Sequence, residues 1–364
     1  MRVAHINWEL GFGGIETMLV NIANVQANLG AEVHVILLND RNENSMLASI
    51  HSNVHLHFIN RRVGTKGLGF MLRLNKMLIK LNPDVIHLHH SRFYSLLIHR
   101  KLKKRAVSTL HSLPRGKTRE SILSKVCPLF EFVKGSGNLS MIDKIPRVFA
   151  ISKSVQQDLL KNYNISSQLI VNGILTKEFQ KRSYRNADSP LQIVQVSRLL
   201  HSSKGQDLLI RAAARLQGKV HVTFIGDGPS MDFLKGLAKE LKAEEWISFA
   251  GKHEQSYVAD HLQDYDLFAQ PSRNEGFGLT VAEAMAANLP VLVANNQGPA
   301  EVTEGNRFGW VFENNDVDDL VRMIEYIRTH YDEALAKCEK AREHVIENYD
   351  VSVTAKRYLE LYRS

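Results

Sequence analysis

The chain has almost no cysteine. Its 364 residues include only Cys127 and Cys338, far apart in sequence. A disulfide-stapled secreted scaffold is therefore not expected, and reduced thiols in a cytoplasmic setting are the default. Also missing is any run of about 18 or more apolar residues, so no transmembrane helix is expected. A mean hydropathy of −0.20 agrees. The opening residues MRVAHINWEL read as the start of a strand rather than as a signal peptide. Zinc-finger, recognition-helix and RNA-binding signatures are all lacking, which sets nucleic acid aside as a partner.

Acidic residues are scarce in one half only. Residues 1–172 carry 23 Lys and Arg against 10 Asp and Glu, a balance of +13, while the remainder carries −5 of the total +8. A basic first half suits an anionic membrane surface or a lipid-phosphate acceptor.

Short β-rich runs alternate with helical ones throughout, which predicts an α/β protein with parallel sheets. The first series is RVAHINW, AEVHVILL, VHLHFI, VIHLHH, AVSTLH and RVFAIS; the second is LQIVQVS, KVHVTFIGDG, ISFAGK, YDLFAQ, LPVLVA and GWVF. Between them QLIVNGI at 168–174 reads as a hinge. The length allows about two domains. The expected division is 1–172 and 173–349, two Rossmann-like doubly wound domains facing a cleft, with the helix 350–364 crossing back to the first. In such sheets, ligands sit beyond the carboxyl ends of the strands.

The richest segment follows the run YDLFAQ. It reads PSRNEGFGLTVAEAMAANLPVL, with Glu275 and Glu283 eight positions apart. Strand, glycine turn and helix point backbone N–H groups and a helix dipole at an anion. A carboxylate at each end can bind sugar hydroxyls, which suggests a nucleotide-sugar site. Upstream, VSRLLHSSKGQ places Arg198 and Lys204 after the first strand of the second series. Arg gives a forked contact and Lys a mobile point charge, both suited to a diphosphate. Alone, they would read as two solvated cations.

Other segments carry weaker signals. WELGFGGIETMLVN ends a strand in a glycine loop, Gly13 and Gly14, before a helix; it is either a plain tight turn or a close backbone approach to a ligand. It is not a dinucleotide fingerprint, because Glu16 stands where the third glycine belongs. His111 ends a strand. In VIHLHHSRF, His87 and His89 share one strand face and His90 the other. No cysteine or acidic cluster completes a metal sphere there, so it is read as strand plus loop, with His90 and Arg92 facing an acceptor. Asp264-Tyr265-Asp266 resembles a metal-binding Asp-x-Asp but sits at a strand start. Phe70, Met71, Leu74, Met77, Leu78 and Leu81 recur at helical spacing among Arg73, Lys76 and Lys80; the helix is either core-facing or membrane-surface.

Together these segments resemble the retaining glycosyltransferases of family 4 (glycosyl transferases group 1). The family reads P-S-x-x-E-G-F-G-x-x-x-x-E-A-M-A-x-G-x-P-V, with Asn288 here in place of a glycine, and G-R-x-x-x-x-K-G, with Ser197 in place of the first glycine. The resemblance implies the GT-B fold and transfer of a hexose-type sugar from a nucleoside-diphosphate sugar, most simply a UDP-sugar, to a saccharide hydroxyl. It implies that Glu275, His111, Arg198 and Lys204 serve catalysis. The donor would lie against Gly13, Gly14, Arg198, Lys204, Glu275, Gly276, Phe277, Gly278, Leu279, Thr280 and Glu283. Gly226, Gly251, Lys252 and His253 would line the nucleobase pocket, and Glu16, His90 and Arg92 the acceptor. No metal or other cofactor is expected. Bacterial surface polysaccharide or lipopolysaccharide assembly, with a lipid-linked saccharide acceptor at the inner face of the membrane, would suit the basic first half. Two alternatives remain: a UDP-sugar 2-epimerase of the same fold, and a non-catalytic subunit of a transferase complex.

Overall fold

A computed structural model describes residues 1–11, 13–65, 67–112, 141–181, 190–295 and 298–364. Cys127 and the whole basic stretch 115–134 lie outside the described residues. The chain divides into two compact units, Met1–Gly173 with Val351–Ser364, and Ile174–Asp350. The divisions therefore fall one residue beyond 172 and one beyond the expected start of the returning helix at 350. Among the described residues, no helix is long and apolar enough to cross a membrane.

The first unit is built on a parallel sheet of seven strands: β1 (Arg2–Asn7), β2 (Glu32–Asn39), β3 (Val54–Arg61), β4 (Val85–Leu88), β5 (Ala106–Leu110), β6 (Arg147–Ala150) and β7 (Gln168–Leu169). Their order is β3-β2-β1-β4-β5-β6-β7. The second holds six parallel strands: β8 (Leu191–Val196), β9 (Val220–Ile225), β10 (Ile247–Gly251), β11 (Leu267–Gln270), β12 (Val291–Ala294) and β13 (Trp310–Phe312), in the order β10-β9-β8-β11-β12-β13. Each expected run contains one strand. The exception is β7, a two-residue edge strand inside the stretch read as a hinge. The central strands are buried on both faces, β4 and β12 along their whole length, because helices cover parallel sheets on both sides.

In the first unit, one face of the central strands is polar yet buried. His5 of β1, His87 of β4 and Thr109 of β5 lie side by side, set by the register His5 opposite His87 and Leu88 opposite Ser108. The C-terminal helix Val351–Arg363 covers them. Its Tyr358 hydroxyl bonds Thr109 Oγ1 at 2.9 Å, and its Tyr362 hydroxyl bonds His87 Nδ1 at 2.6 Å. Arg147 donates to the carbonyls of Leu361 and Tyr362, the latter at 3.4 Å, anchoring the end of that helix. In the second unit the core is apolar, with Ile193, Leu209, Phe224, Leu267, Leu292 and Ile324 among its buried residues.

The helix Gly69–Leu81 buries Phe70, Leu74 and Leu78 and turns Leu72 (62% exposed) and Ile79 (52%) outward, beside the exposed Arg73, Lys76 and Lys80. It therefore has a core-facing stripe and, opposite, a cationic face with two apolar residues.

Tyr358 offers a test of how the C-terminal helix is held. Tyr358→Phe removes one neutral hydrogen bond and should cost about 1 kcal/mol, whereas Tyr358→Ala also opens a cavity and should cost about 3–5 kcal/mol. Hydrogen exchange of the β4 and β5 amides in urea measures both; equal losses would mean that the ring contributes no packing.

Candidate active site

In the second unit the strand order reverses between β8 and β11. The chain runs from β8 to β9 and β10 on one side, and from β11 to β12 and β13 on the other. Connections leaving two such neighbours diverge and open a crevice at their carboxyl ends. The loop after β8 carries Arg198 and Lys204; the loop after β11 carries Glu275 to Gly278.

The two loops are fastened by main chain. The amides of Arg273 and Asn274 both donate to the Ser203 carbonyl, at 2.8 and 3.2 Å, and Ser203 Oγ donates to Asn274 O at 3.1 Å. The Arg273 guanidinium forks onto Asp207 at 2.7 and 2.8 Å and reaches His201 O at 2.7 Å. Gly205, at φ +69°, lies so close to the Pro271 carbonyl that a Cβ would overlap it. The outcome is a direct bond between Lys204 Nζ and Glu275 Oε2, with 24% and 19% of the two side chains exposed. Arg198 is exposed, and Gln206 Nε2 fixes its carbonyl at 3.0 Å.

Gly278, at φ +102°, starts the helix Leu279–Ala286 and has no side chain to cap it. The Val281 and Ala282 amides bond the Gly278 carbonyl at 3.0 and 3.2 Å. The amides of Leu279 and Thr280 precede them at the positive end of the helix, the arrangement that receives anions. Glu283 lies one turn further on, 5% exposed. Gln255 Nε2 donates to its Oε1 at 2.8 Å. Burial pushes its carboxyl up to about 7, against the pull of Gln255 and helped by the nearby charge of Glu178. Gly226 and Gly251 meet at the ends of β9 and β10, where the Gly226 amide donates to Gly251 O at 2.7 Å. Lys252 is exposed. His253 stacks on Tyr257 at 3.7 Å, and Tyr257 on His261 at 3.9 Å.

In the first unit the reversal falls between β1 and β4, and the candidate residues again lie at strand carboxyl ends. Gly13 and Gly14 follow β1 and start the helix Gly14–Asn28; the Glu16 side chain folds back over Gly13. Burial raises the Glu16 pKa. His90 and Arg92 follow β4, with the His90 imidazole pushed down to about 4 by burial and by Arg92. His111 follows β5, pushed down to about 3, chiefly by burial. Its Nε2 lies 3.3 Å from His89 Nδ1.

Sequence reasoning found no residue to complete a metal sphere with His87 and His89. The structure brings in His5 rather than His90: ligand atoms of His5, His87 and His89 lie within 4.8 Å of one another. All six ring nitrogens of these three already have protein partners: Gln26, Thr109, Tyr362, His111 and one another. Asp266 is buried, and its carboxylate accepts from the Gln192 amide at 2.7 Å, which fits the strand-start reading of Asp-Tyr-Asp. Also missed were Gln255, which directly follows the noticed G-K-H-E, and Arg273, inside the noticed P-S-R-N-E. Neither residue type alone reveals its partner.

Comparisons with known proteins bear on both units. The model of the Glycosyltransferase Family 4 matches residues 12–178, and that of Glycosyl transferases group 1 matches residues 176–348. The chain is 29% identical over 196 residues to a GDP-mannose-dependent alpha-(1-6)-phosphatidylinositol monomannoside mannosyltransferase of Mycobacterium tuberculosis, covering 51% of this chain and 50% of that one. It thus spans about half the length of that relative. It is 24% identical over 381 residues to the N-acetylgalactosamine-N,N'-diacetylbacillosaminyl-diphospho-undecaprenol 4-alpha-N-acetylgalactosaminyltransferase of Campylobacter jejuni, covering 97% of each. The Anabaena protein HepE, solved in complex with UDP and glucose, superposes with a TM-score of 0.80 at 18% identity, covering 100% of this chain and 99% of that one. Two doubly wound parallel-sheet units, matched in turn by two models of one family, lead to one assignment: the chain belongs to the group 1, family 4 glycosyltransferases of the GT-B fold.

Proposed function

We propose that the chain is a retaining, metal-independent glycosyltransferase that moves a hexose-type sugar from a UDP-sugar to a saccharide hydroxyl. The observation that carries this is the Lys204–Glu275 pair beside the uncapped helix start at Gly278. A cation, a carboxylate and amides without a partner among the described residues meet at the crevice where a sugar diphosphate needs all three. A donor entering there takes the place each charge now fills for the other. Glu275 accepts from sugar hydroxyls, and Lys204 moves onto the diphosphate with Arg198. The amides of Leu279 and Thr280 add to the charge stabilisation as the bond from the anomeric carbon to the diphosphate breaks. The acceptor oxygen bonds that carbon on the same face, and its proton passes to the departing phosphate oxygen. Glu283 holds the ribose hydroxyls. UDP is favoured by the complexes of HepE, although the mycobacterial relative uses GDP-mannose by its name.

The acceptor we propose is a lipid-linked saccharide of surface polysaccharide or lipopolysaccharide assembly, met at the cytoplasmic face of a membrane. The diphospho-undecaprenol relative, the +13 balance of residues 1–172 and the outward Leu72 and Ile79 support this. The apolar pair would sit among lipid tails while Arg73, Lys76 and Lys80 meet anionic headgroups.

Donor turnover, measured with and without acceptor extracts, tests the site. Glu275→Ala and Lys204→Ala should each lower it by roughly 10²–10³-fold, the scale of one lost transition-state contact. Unchanged turnover in both would remove the assignment, and conversion of the sugar nucleotide without acceptor would favour an epimerase.

Glu283 yields a prediction with two signs. Its carboxyl titrates near 7 when folded, against an ordinary 4.5. Between those values the folded chain keeps a proton that the unfolded chain has lost, so stability falls as pH rises across the window. The loss reaches about 3 kcal/mol above it. Glu283→Gln keeps a partner for Gln255 and has nothing to ionise. It should match wild type near pH 4.5, exceed it in thermal unfolding at pH 8, and bind UDP more weakly. A variant no more stable than wild type at pH 8 would show that Glu283 ionises freely.

Leu72→Glu with Ile79→Glu should abolish sedimentation with anionic liposomes at low salt without altering the fold. Equal sedimentation of wild type and variant would locate any membrane contact elsewhere.

A further inference from the structure

His111 lies at the end of a buried chain of hydrogen bonds. His111 Nε2 faces His89 Nδ1 at 3.3 Å, His89 Nε2 faces His5 Nδ1 at 3.1 Å, and His5 Nε2 faces Gln26 Oε1 at 2.8 Å. His5, His89 and Gln26 are at most 1% exposed. Burial lowers the pKa of each of the three imidazoles, that of His5 to about 4, so each is neutral at pH 7 and carries one proton.

Neutral rings bonded head to tail must all point their protons the same way, and an amide oxygen can only accept. His5 Nε2–H therefore donates to Gln26, which leaves His5 Nδ1 as an acceptor. His89 Nε2–H donates to it, which leaves His89 Nδ1 as an acceptor. His111 Nε2–H donates to that nitrogen. His111 Nδ1 is then a bare lone pair, and it is buried with no hydrogen-bond partner among the described residues.

We propose that Gln26, His5 and His89 are positioning residues that fix the tautomer of His111, so that its Nδ1 is an acceptor for a sugar hydroxyl at the carboxyl end of β5. The sugar rests on the glycosyltransferase reading above; the tautomer does not. The lone pair receives a substrate O–H and gives nothing to an acceptor-only group. An orphaned buried acceptor is costly in the empty protein, and a ligand donor relieves it. Gln26 thereby influences the sugar through three hydrogen bonds without touching it.

Long-range ¹H–¹⁵N spectra of the ¹⁵N-histidine-labelled full chain at pH 7.5, assigned with single His→Gln variants, read the tautomers directly. Protons on Nε2 of His5, His89 and His111 are expected. A proton on Nδ1 of His111 in wild type overturns the proposal. Gln26→Leu removes the acceptor that orients the series, so His5 and His111 should shift toward mixed tautomers. Gln26→Glu restores an acceptor and should restore the wild-type pattern. A His111 signal unmoved by Gln26→Leu also overturns the proposal. If Gln26→Leu does not fold, the wild-type and Gln26→Glu spectra still decide. In donor turnover, kcat/KM of Gln26→Leu should fall about five-fold, the scale of one net hydrogen bond, and recover in Gln26→Glu. If wild type turns over no sugar nucleotide, the glycosyltransferase reading fails while the spectra still decide the tautomer.

Discussion

The proposed donor site hangs on one main-chain acceptor, the carbonyl of Ser203. It receives two amides from the neighbouring loop, and this ties the turn carrying Lys204 to the turn carrying Glu275. Each turn extends from a different strand, and the β8–β11 ladder pairs those strands only up to Val194 and Phe268, so the turns beyond it need their own fastening. Arg273 adds a fork onto Asp207, and Gly205 lets the Pro271 carbonyl approach. A charge pair that is partly exposed contributes little to stability. The Lys204–Glu275 contact is therefore better understood as a result of this fastening than as its cause. Both side chains are held ready in a position that a sugar diphosphate can divide between them.

Glu283 shows the opposite treatment of charge. It sits inside the helix Leu279–Ala286 and has one neutral donor among the described residues, Gln255. Burying a carboxyl with so little compensation works against folding at neutral pH. Nothing in the packing requires an acid there, since a glutamine would fill the same space and meet the same partner. The ribose-binding role proposed for Glu283 gives a reason to keep an acid there, because two vicinal hydroxyls would donate to the carboxylate.

How much of this was legible depended on whether the signal was local. The strands were, since runs such as VIHL and VLVA are buried on both faces and read as continuous apolar segments. β7 was not, being two residues long and in a stretch without alternation. Asn288, the departure from the family's glycine, is explained by its backbone: it sits at φ +59°, in the left-handed region where asparagine is the usual substitute. Lys204 and Glu275 could be named from their motifs, but not their contact, which arises from two loops 71 positions apart. Gln26, His5, Arg273 and Gln255 escaped notice because their roles lie in their partners. A glutamine in an amphipathic helix carries no mark of the imidazole it will meet.

The two sheets thus solve the same problem in different ways. Each places polar groups at the reversal of a parallel sheet, where neighbouring connections leave the surface open. The second unit uses ions and a helix end. The first, despite its excess of basic residues, uses the neutral imidazoles of His5, His87 and His89, whose nitrogens pair with one another, with Gln26, Thr109 and His111, and with the Tyr362 hydroxyl of the C-terminal helix. Pairing of all six nitrogens of His5, His87 and His89 makes that polar layer tolerable, since a half-satisfied network would be worse than an apolar one. It also sets how the layer fails. The buried imidazoles exclude protons that the unfolded chain takes up below its ordinary value of 6.5. Their contribution is complete above that value and is lost as pH falls. The first unit's buried histidines thus contribute to the acid side of the stability profile. Glu283 acts in the contrary direction over part of the same range.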